Sequence, residues 1–425
     1  MAKPWPERPV SGANKSGKQK VTQRDDAALS ASSTMSDPAD EHVDWELARR
    51  IAVRVAGTEP LYQSYLAEPL RQDFARFVPV AAELVAIETG LETPGEAHAE
   101  VIDRTGWIDA NIAAFRRLLQ PLLGASAGAD GTAETGEAAA GRVTQTLGAV
   151  ELGSVLGWMS KRVLGQYDLL WASDDDTAPG ADASRRDNGA AGGTAGTGAT
   201  SPGSAGDTVY FVGPNILVTE KRYAFVPAQF RLWLALHELT HRSQFTGVPW
   251  LRPHFLQLVN GLVDEAQPDP ERLREGLRNL MSLRRSSTGQ DSQDLLGEGG
   301  LAAVFATDHQ RELIAQVGGM MSLVEGHGDV TMARAARGHI PDADRFAVVM
   351  HHRRRNVRGM ARLIQRLLGI EAKLAQYQAG EDFIAEIEAE RGPRAVDRIW
   401  ERVEHLPSMA EIRDPQAWLE RVPAA

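Results

Sequence analysis

The residues with the clearest chemical potential are two histidines four positions apart, with a glutamate directly after the first. They are His237, Glu238 and His241, in the stretch "ALHELTHRSQF". On an α-helix, residues i and i+4 lie on one face, so both imidazoles can bind one cation. Glu238 is about 100° further round the helix and reaches a water on the metal instead. The pattern therefore predicts a zinc ion with a glutamate general base, and chance occurrence in an ordinary helix is the alternative.

Two histidines fill only half of a tetrahedral zinc site, so a further protein ligand is required. A third histidine in the extended metzincin pattern is excluded, because Gln244 and Gly247 occupy the positions of its glycine and histidine. The ligand must then be a carboxylate from another helix, which is the gluzincin arrangement. The sequence offers two candidates, Glu265 and Glu325.

Both glutamates begin an E-x-x-x-D pattern, in which an aspartate one turn later can orient a ligand histidine. In the first pattern, Pro268 disrupts the helix that would align Glu265 with its aspartate. The second pattern, "SLVEGHGDVTM", contains no proline, although its glycines weaken the helix. We therefore predict Glu325 as the metal ligand and Asp329 as the residue that orients a histidine, with Glu265 as the alternative.

Other polar side chains are candidates for contacts with the substrate. His327 could stabilise a developing oxyanion, although a structural histidine is the more common use of such a residue. His351 and His352 precede a basic run and could contact a substrate carboxylate, or simply begin a solvated basic helix. Phenolic groups that could stabilise an oxyanion belong to Tyr223, Tyr210 and Tyr377.

The composition limits the class of protein. The chain has 425 residues, 43% of them hydrophobic, a net charge of −11 and no cysteine. The absence of cysteine excludes disulfides, thiolate metal ligands and cysteine nucleophiles. The acidic balance argues against general binding of nucleic acid or of an anionic membrane. No apolar stretch has the length of a membrane span or the pattern of a signal peptide, so we expect a cytoplasmic protein. The oligomeric state is not readable from the sequence.

The elements that position these residues are mostly helices. We expect a disordered tail over 1–40 and one zincin-like domain over 41–425, of mainly α (α+β) class. Its parts would be a helical region (41–172), a flexible Gly/Ala-rich insertion (173–207), a metal-binding core (208–340) and C-terminal helices (341–425). The β-branched run "TVYFVGPNILV" at 208–218 predicts one or two short strands beside the histidine helix, which would start at Pro227.

Four segments together resemble a family of zinc-dependent metalloprotease-like (zincin-like) hydrolases of actinobacteria. They are "VGPNILV", "FRLWLALHELTHRSQFTGVPWLR", "SLVEGHGDVTM" and "KLAQYQAGEDFI". The resemblance covers most of the chain from about residue 45 onwards and is specific in the combination of these motifs. It implies zinc bound by His237, His241 and Glu325, with Glu238 as the base. Some members are labelled as associated with biosynthesis of a deazaflavin coenzyme, and the resemblance names no substrate.

Two functions of different classes fit these residues. The first is a zinc hydrolase, most simply a metallopeptidase that acts on a peptide or a small amide. In this mechanism Glu238 takes a proton from the zinc-bound water and passes it to the leaving amine. The alternative is a zinc-binding structural or interaction protein that keeps the site but cleaves nothing.

Overall fold

Helices form most of the part of the chain that the computed structural model describes, which is residues 43–126, 135–169, 207–264, 307–355 and 370–424. All of these residues belong to the compact unit Asp37–Ala425. The longer helices are α1 (Trp45–Ala56), α2 (Ala67–Thr89), α3 (Arg104–Ser126), α4 (Thr135–Met159), α5 (Gly213–Tyr223), α6 (Pro227–Gly247), α7 (Leu251–Asp264), α8 (Asp308–Ala335), α9 (Ala343–Arg355) and α10 (Ile370–Arg391). Short helices follow: α11 (Asp397–Trp400), α12 (Met409–Arg413) and α13 (Pro415–Arg421), with 3-10 turns at Pro60–Gln63 and Val403–His405.

A small three-stranded sheet accompanies the helices. Its strands are β1 (His98–Ile102), β2 (Gly165–Tyr167) and β3 (Thr208–Val212), in the order β1-β3-β2. The first strand runs parallel to β3, with His98 opposite Thr208, and the second runs antiparallel to it, with Gly165 opposite Phe211. The predicted mainly α fold with a small sheet beside the histidine helix is confirmed.

The prediction of one or two short strands over 208–218 is confirmed for one strand. Residues Thr208–Val212 form a strand, but the chain then turns directly into helix α5. Pro214 lies in the first turn of that helix, where the missing N–H leaves no hydrogen bond unmade. The strands β1 and β2 were not predicted, since each has at most five residues and lacks a strongly alternating pattern.

Helix α6 lies at the centre of the main core. It buries a row of apolar residues and packs against α2, α8 and β2. The aromatic rings around its first turns are in mutual contact, with centroid distances of 4.8 Å for Phe225–Phe230 and 5.3 Å for Phe230–Phe346. Helix α2 also packs on the sheet: the ring of Phe74 stacks on that of Phe211 of β3, with 3.9 Å between the ring centroids. The apolar residues that α6 contributes are Phe230, Trp233, Leu234, Leu236 and Leu239.

A buried ion pair fixes the start of α6 against α5 and α2. Arg231, whose side chain is 6% exposed, donates to both carboxylate oxygens of Glu220 at 2.8 Å and to Asp73 at 2.9 Å. Even with this cation beside it, burial raises the pKa of Glu220 above its ordinary value. Removing either partner would therefore leave a buried charge without its counter-ion.

Replacing Arg231 by Met should lower the free energy of unfolding by about 3–5 kcal/mol, because it leaves the Glu220 carboxylate buried without its cation. Chemical denaturation measures this loss. Arg76→Met is the matched control, since Arg76 pairs with the same Asp73 but is 64% exposed. An exposed pair contributes about 0–1 kcal/mol. Equal losses in the two variants would contradict a structural role for the buried pair.

Several expectations fall outside the described residues. They are the disordered tail, nearly all of the insertion at 173–207, and the alternative ligand Glu265. Within the described ranges, no helix combines the length and the apolar composition that crossing a membrane requires.

Candidate metal centre

Helix α6 carries the two histidines and the glutamate between them. It begins at Pro227 and continues without interruption to Gly247, so its geometry places His237 and His241 on one face. The two imidazoles meet at a centroid distance of 4.7 Å with their planes 84° apart. Their Nε2 atoms are 3.3 Å apart. Both rings therefore aim a nitrogen at the same place.

Helix α8 brings the third candidate ligand. It starts at a capping box made by Thr307 and Gln310 and runs unbroken through Gly326 and Gly328. The expectation that these glycines weaken the helix is wrong, because they serve close packing instead. A Cβ on Gly328 would lie 3.2 Å from the His241 ring, and one on Gly326 would lie 2.5 Å from the backbone of Gly380 on α10. The bare backbone of α8 thus allows the His241 imidazole to rest against it.

The three side chains fit a single divalent cation. The candidate ligand atoms of His237, His241 and Glu325 all lie within 4.8 Å of one another, and this group could hold a metal ion. The carboxylate of Glu325 is 3.9 Å from Nε2 of His241. Two nitrogens bound to a tetrahedral zinc at its usual bond length are about 3.3 Å apart. The observed separation of the two imidazole nitrogens equals that value.

Each histidine has a polar side chain near its other ring nitrogen. Asp329 of α8 places a carboxylate oxygen 3.9 Å from Nδ1 of His237. The Nδ1 of His241 lies 2.9 Å from Oε1 of Gln244, so it donates to that oxygen, and the lone pair of Nε2 would be available to hold a metal ion. Burial would lower the pKa of His241, but Glu325 and Glu238 raise it above the ordinary value.

Gln244 also links α6 to α8. Its amide nitrogen donates to the carbonyl of Val324 at 2.8 Å and to Nδ1 of His327 at 2.9 Å. Since Nδ1 of His327 accepts this bond, its proton is on Nε2, which faces the hydroxyl of Thr331 at 3.4 Å. Burial lowers the pKa of His327 to about 3, so the ring is neutral. The orientation of His241 is therefore set by a chain of neutral groups.

The carboxylate of Glu238 lies between α6 and strand β2. It is 5% exposed and accepts a backbone hydrogen bond from Tyr167. A Cβ on Gly165 would lie 2.4 Å from Oε1 of Glu238, so only glycine leaves room for the carboxylate there. Burial raises the pKa of Glu238 to about 7, and a neighbouring cation would lower it again.

Two adjoining cavities open on this group. One has a volume of about 240 Å³ and the other about 260 Å³, and both are lined by Gly165, His237, Glu238 and Glu325. Beyond these shared residues, the first is mainly apolar, with Tyr167, Leu169, Phe245 and Met321 among its lining residues. The second contains two guanidinium groups, of Arg162 and Arg353.

Several other predicted residues are not among those that line these cavities. His327 is 4% exposed, is bonded to Gln244 and Thr331, and packs edge-on against Trp400 at 5.0 Å. Tyr223 is at the end of α5, stacked on Phe225. Neither lines the described cavities, so their placement does not support contact with a substrate oxyanion. Tyr210 on β3 and the exposed His351 and His352 are also not among the residues that line the two cavities. Tyr377 lies on α10.

Four residues at the site were missed by the sequence analysis: Gly165, Gln244, Arg162 and Arg353. Gln244 lies three residues after His241, a spacing at which helical side chains meet, so this contact could have been found. The basic run after His352 pointed to the right segment but to its histidines instead of Arg353. Nothing in the local sequence marks Gly165 or Arg162.

Comparison with known proteins decides the family. A family model described as a zincin-like metallopeptidase matches residues 43–419. The chain belongs to the zincin-like metallopeptidase family. Membership implies a divalent metal, usually zinc, and the His237, His241 and Glu325 group of this zincin-like chain could bind one. No curated protein is similar enough to match.

A solved structure from Chloroflexus aurantiacus is similar to the zincin-like chain. It is described as that of "a putative hydrolase with a novel fold". The two chains are 29% identical with a TM-score of 0.58, and the match covers 89% of this chain and 98% of that one. Family and neighbour together support a hydrolase that depends on a metal. The family model and the solved structure do not test the actinobacterial distribution or the link to a deazaflavin coenzyme. These two expectations stay predictions.

Proposed function

We propose that the protein is a zinc-dependent metallopeptidase of gluzincin type, in which His237, His241 and Glu325 hold the metal and Glu238 is the general base. The observation that carries this proposal is the convergence of three ligand atoms from α6 and α8 within 4.8 Å. A buried carboxylate lies in the same cleft. When bound, zinc supplies a Lewis acid for the scissile carbonyl and lowers the pKa of a coordinated water.

The protein's own groups account for the proton transfers. Glu238 takes a proton from the attacking water and passes it to the leaving amine, which requires a carboxylate whose ionised form is accessible near neutral pH. Gly165 and the backbone N–H of Tyr167 hold that carboxylate in one position. Asp329 and Gln244 orient the histidines, and Gln244 in addition ties α6 to α8.

The substrate site is the cleft formed by the two cavities. Strand β2 borders it, and among the described strands β2 is at an edge of the sheet. Leu164, Gln166 and Asp168 use their backbone groups toward β3, so those of Gly165 and Tyr167 face the opposite way. The N–H of Tyr167 already donates to Glu238, so we propose that an extended peptide pairs with this edge at Gly165. A peptide or a small amide is therefore the substrate class that we propose.

The test is zinc analysis of the purified protein combined with cleavage of a broad peptide library. We expect about one zinc per chain, cleavage of some peptides, and loss of cleavage with a chelator that is reversed by added zinc. Bound zinc with no peptide cleaved would instead favour a zinc-binding structural or interaction protein. Absence of bound zinc, with a melting temperature that chelator leaves unaltered, would reject the metal centre.

Gly165→Ala should lower kcat by about 100-fold while zinc content stays the same, because the added methyl group displaces the Glu238 carboxylate. Steady-state kinetics and elemental analysis measure the two quantities. Gly148→Ala on α4 is the matched control, since a Cβ there meets nothing within 4 Å. A Gly165→Ala variant with full activity would show that Glu238 does not need its position beside β2.

A further inference from the structure

The cavity of about 260 Å³ differs from its neighbour in charge. Arg162 and Arg353 line it together with His237 and Glu325 of the metal group. Among the described residues that line it, the others are apolar or lie at the metal group, and the carboxylates are those of Glu238 and Glu325. Two guanidinium groups therefore share this cavity with apolar side chains such as Trp233, Leu234 and Met350. Charge–charge interactions are stronger in such surroundings than in open solvent.

Both guanidinium groups are held near the C-terminal end of α4. Arg162 donates to the carbonyl of Trp158 at 3.0 Å, and its guanidinium carbon lies 3.9 Å from the centre of the Trp158 ring. Arg353 of α9 in turn donates to the carbonyl of Arg162 at 2.8 Å. Within the described ranges, Arg162 forms no ion pair with a carboxylate, and its burial lowers its pKa. A carboxylate that entered this cavity would supply the compensating charge.

The direction of strand β2 indicates which end of a peptide would reach the arginines. The strand runs from Gly165, next to the cationic cavity, to Tyr167, next to the apolar one. A peptide pairing antiparallel to β2 has its C-terminus at the Gly165 end. A peptide pairing parallel to it would direct its N-terminal ammonium group at two guanidinium groups, which is electrostatically unfavourable.

We propose that Arg162 and Arg353 bind the C-terminal carboxylate of the substrate, so that the protein removes short fragments from the C-termini of peptides. This inference rests on the proposed function. In the reaction, the water's hydroxide forms a bond to the scissile carbonyl carbon and the C–N bond breaks. The remaining proton goes to the leaving amine. That amine belongs to the fragment whose carboxylate the arginines hold, and the other product is a peptide with a new carboxylate.

The experiment compares peptides that end in a free carboxylate with the same peptides ending in an amide, using the full-length zinc-loaded protein. We expect kcat/KM to be about 10- to 100-fold higher for the free acid, the usual effect of a charge-assisted hydrogen bond. Arg353→Met should abolish that preference by lowering kcat/KM for the acid alone. Arg162→Met should do the same, and Arg353→Lys should retain part of the preference.

The matched control is Arg345→Met, on the same helix α9. Arg345 stacks on Phe225 and donates to the carbonyl of Tyr223, away from the cleft, so its removal should leave the preference unchanged. Equal cleavage of acids and amides by the unmodified protein would overturn the carboxylate site while leaving the hydrolase intact. An unchanged preference in Arg353→Met and Arg162→Met, with unaltered melting temperatures, would overturn it as well.

A binding measurement separates this inference from failure of the proposed function. The zinc-loaded Glu238→Gln protein is titrated in a calorimeter with N-acetyl-dileucine and with its amide. Tighter binding of the acid, lost when Arg353→Met is added, would support the carboxylate site even if no peptide is hydrolysed. Equal binding of the acid and the amide would overturn it.

Discussion

Glu238→Gln should lower kcat by roughly 10²–10⁴-fold, the usual contribution of a general base. The amide has nearly the same shape as the carboxylate but cannot take a proton from water. It fills the same space beside Gly165 and can still accept the backbone hydrogen bond from Tyr167. Zinc content should be unchanged, because the side chain is not among the three candidate ligands. Steady-state kinetics on a cleaved peptide, with elemental analysis of the same sample, measures both quantities.

The matched control for this substitution is Glu100→Gln on strand β1. Glu100 lies in the same sheet region, but its side chain is 52% exposed and pairs with His98. This control should retain full activity and full zinc content. Unchanged cleavage in zinc-loaded Glu238→Gln would show that another group takes the proton. A loss of zinc in Glu238→Gln would show that the carboxylate holds the metal group together.

The features that the sequence predicted well are local or periodic. The spacing of His237 and His241 fixes their relative position on any helix. Helix geometry alone therefore predicts that both imidazoles can face one point. Glu325 is 84 residues beyond His241 along the chain, and no periodicity connects them. Its prediction depended on an argument about Pro268 and on the aspartate one turn later. The structure places both Glu325 and Asp329 beside the histidines.

The features that were not predicted depend on contacts between distant segments. Strand β2 has three residues and owes its existence to pairing with β3, about 40 residues later. Gly165 matters because a side chain from α6 occupies the space where its Cβ would be. Likewise, Arg162 and Arg353 come together only because α9 packs beside the end of α4. A single sequence contains the residues for such contacts but no local signal of their pairing.

Glu325→Ala should lower zinc affinity by more than 100-fold, since it removes one of three protein ligands. Removing a residue that only orients a ligand typically costs 10- to 100-fold, so Asp329→Asn should have a smaller effect than Glu325→Ala. Competition with a chromogenic chelator measures all of these affinities.

The control for the third ligand is Glu265→Ala, the competing carboxylate in the sequence. It should bind zinc as tightly as the unmodified protein, because the geometry already provides a carboxylate from α8 at 3.9 Å from His241. We expect zinc affinity to be highest in Glu265→Ala, lower in Asp329→Asn and lowest in Glu325→Ala. If Glu265→Ala loses zinc and Glu325→Ala keeps it, α8 does not supply the third ligand. The gluzincin arrangement would then have to be built from the other carboxylate.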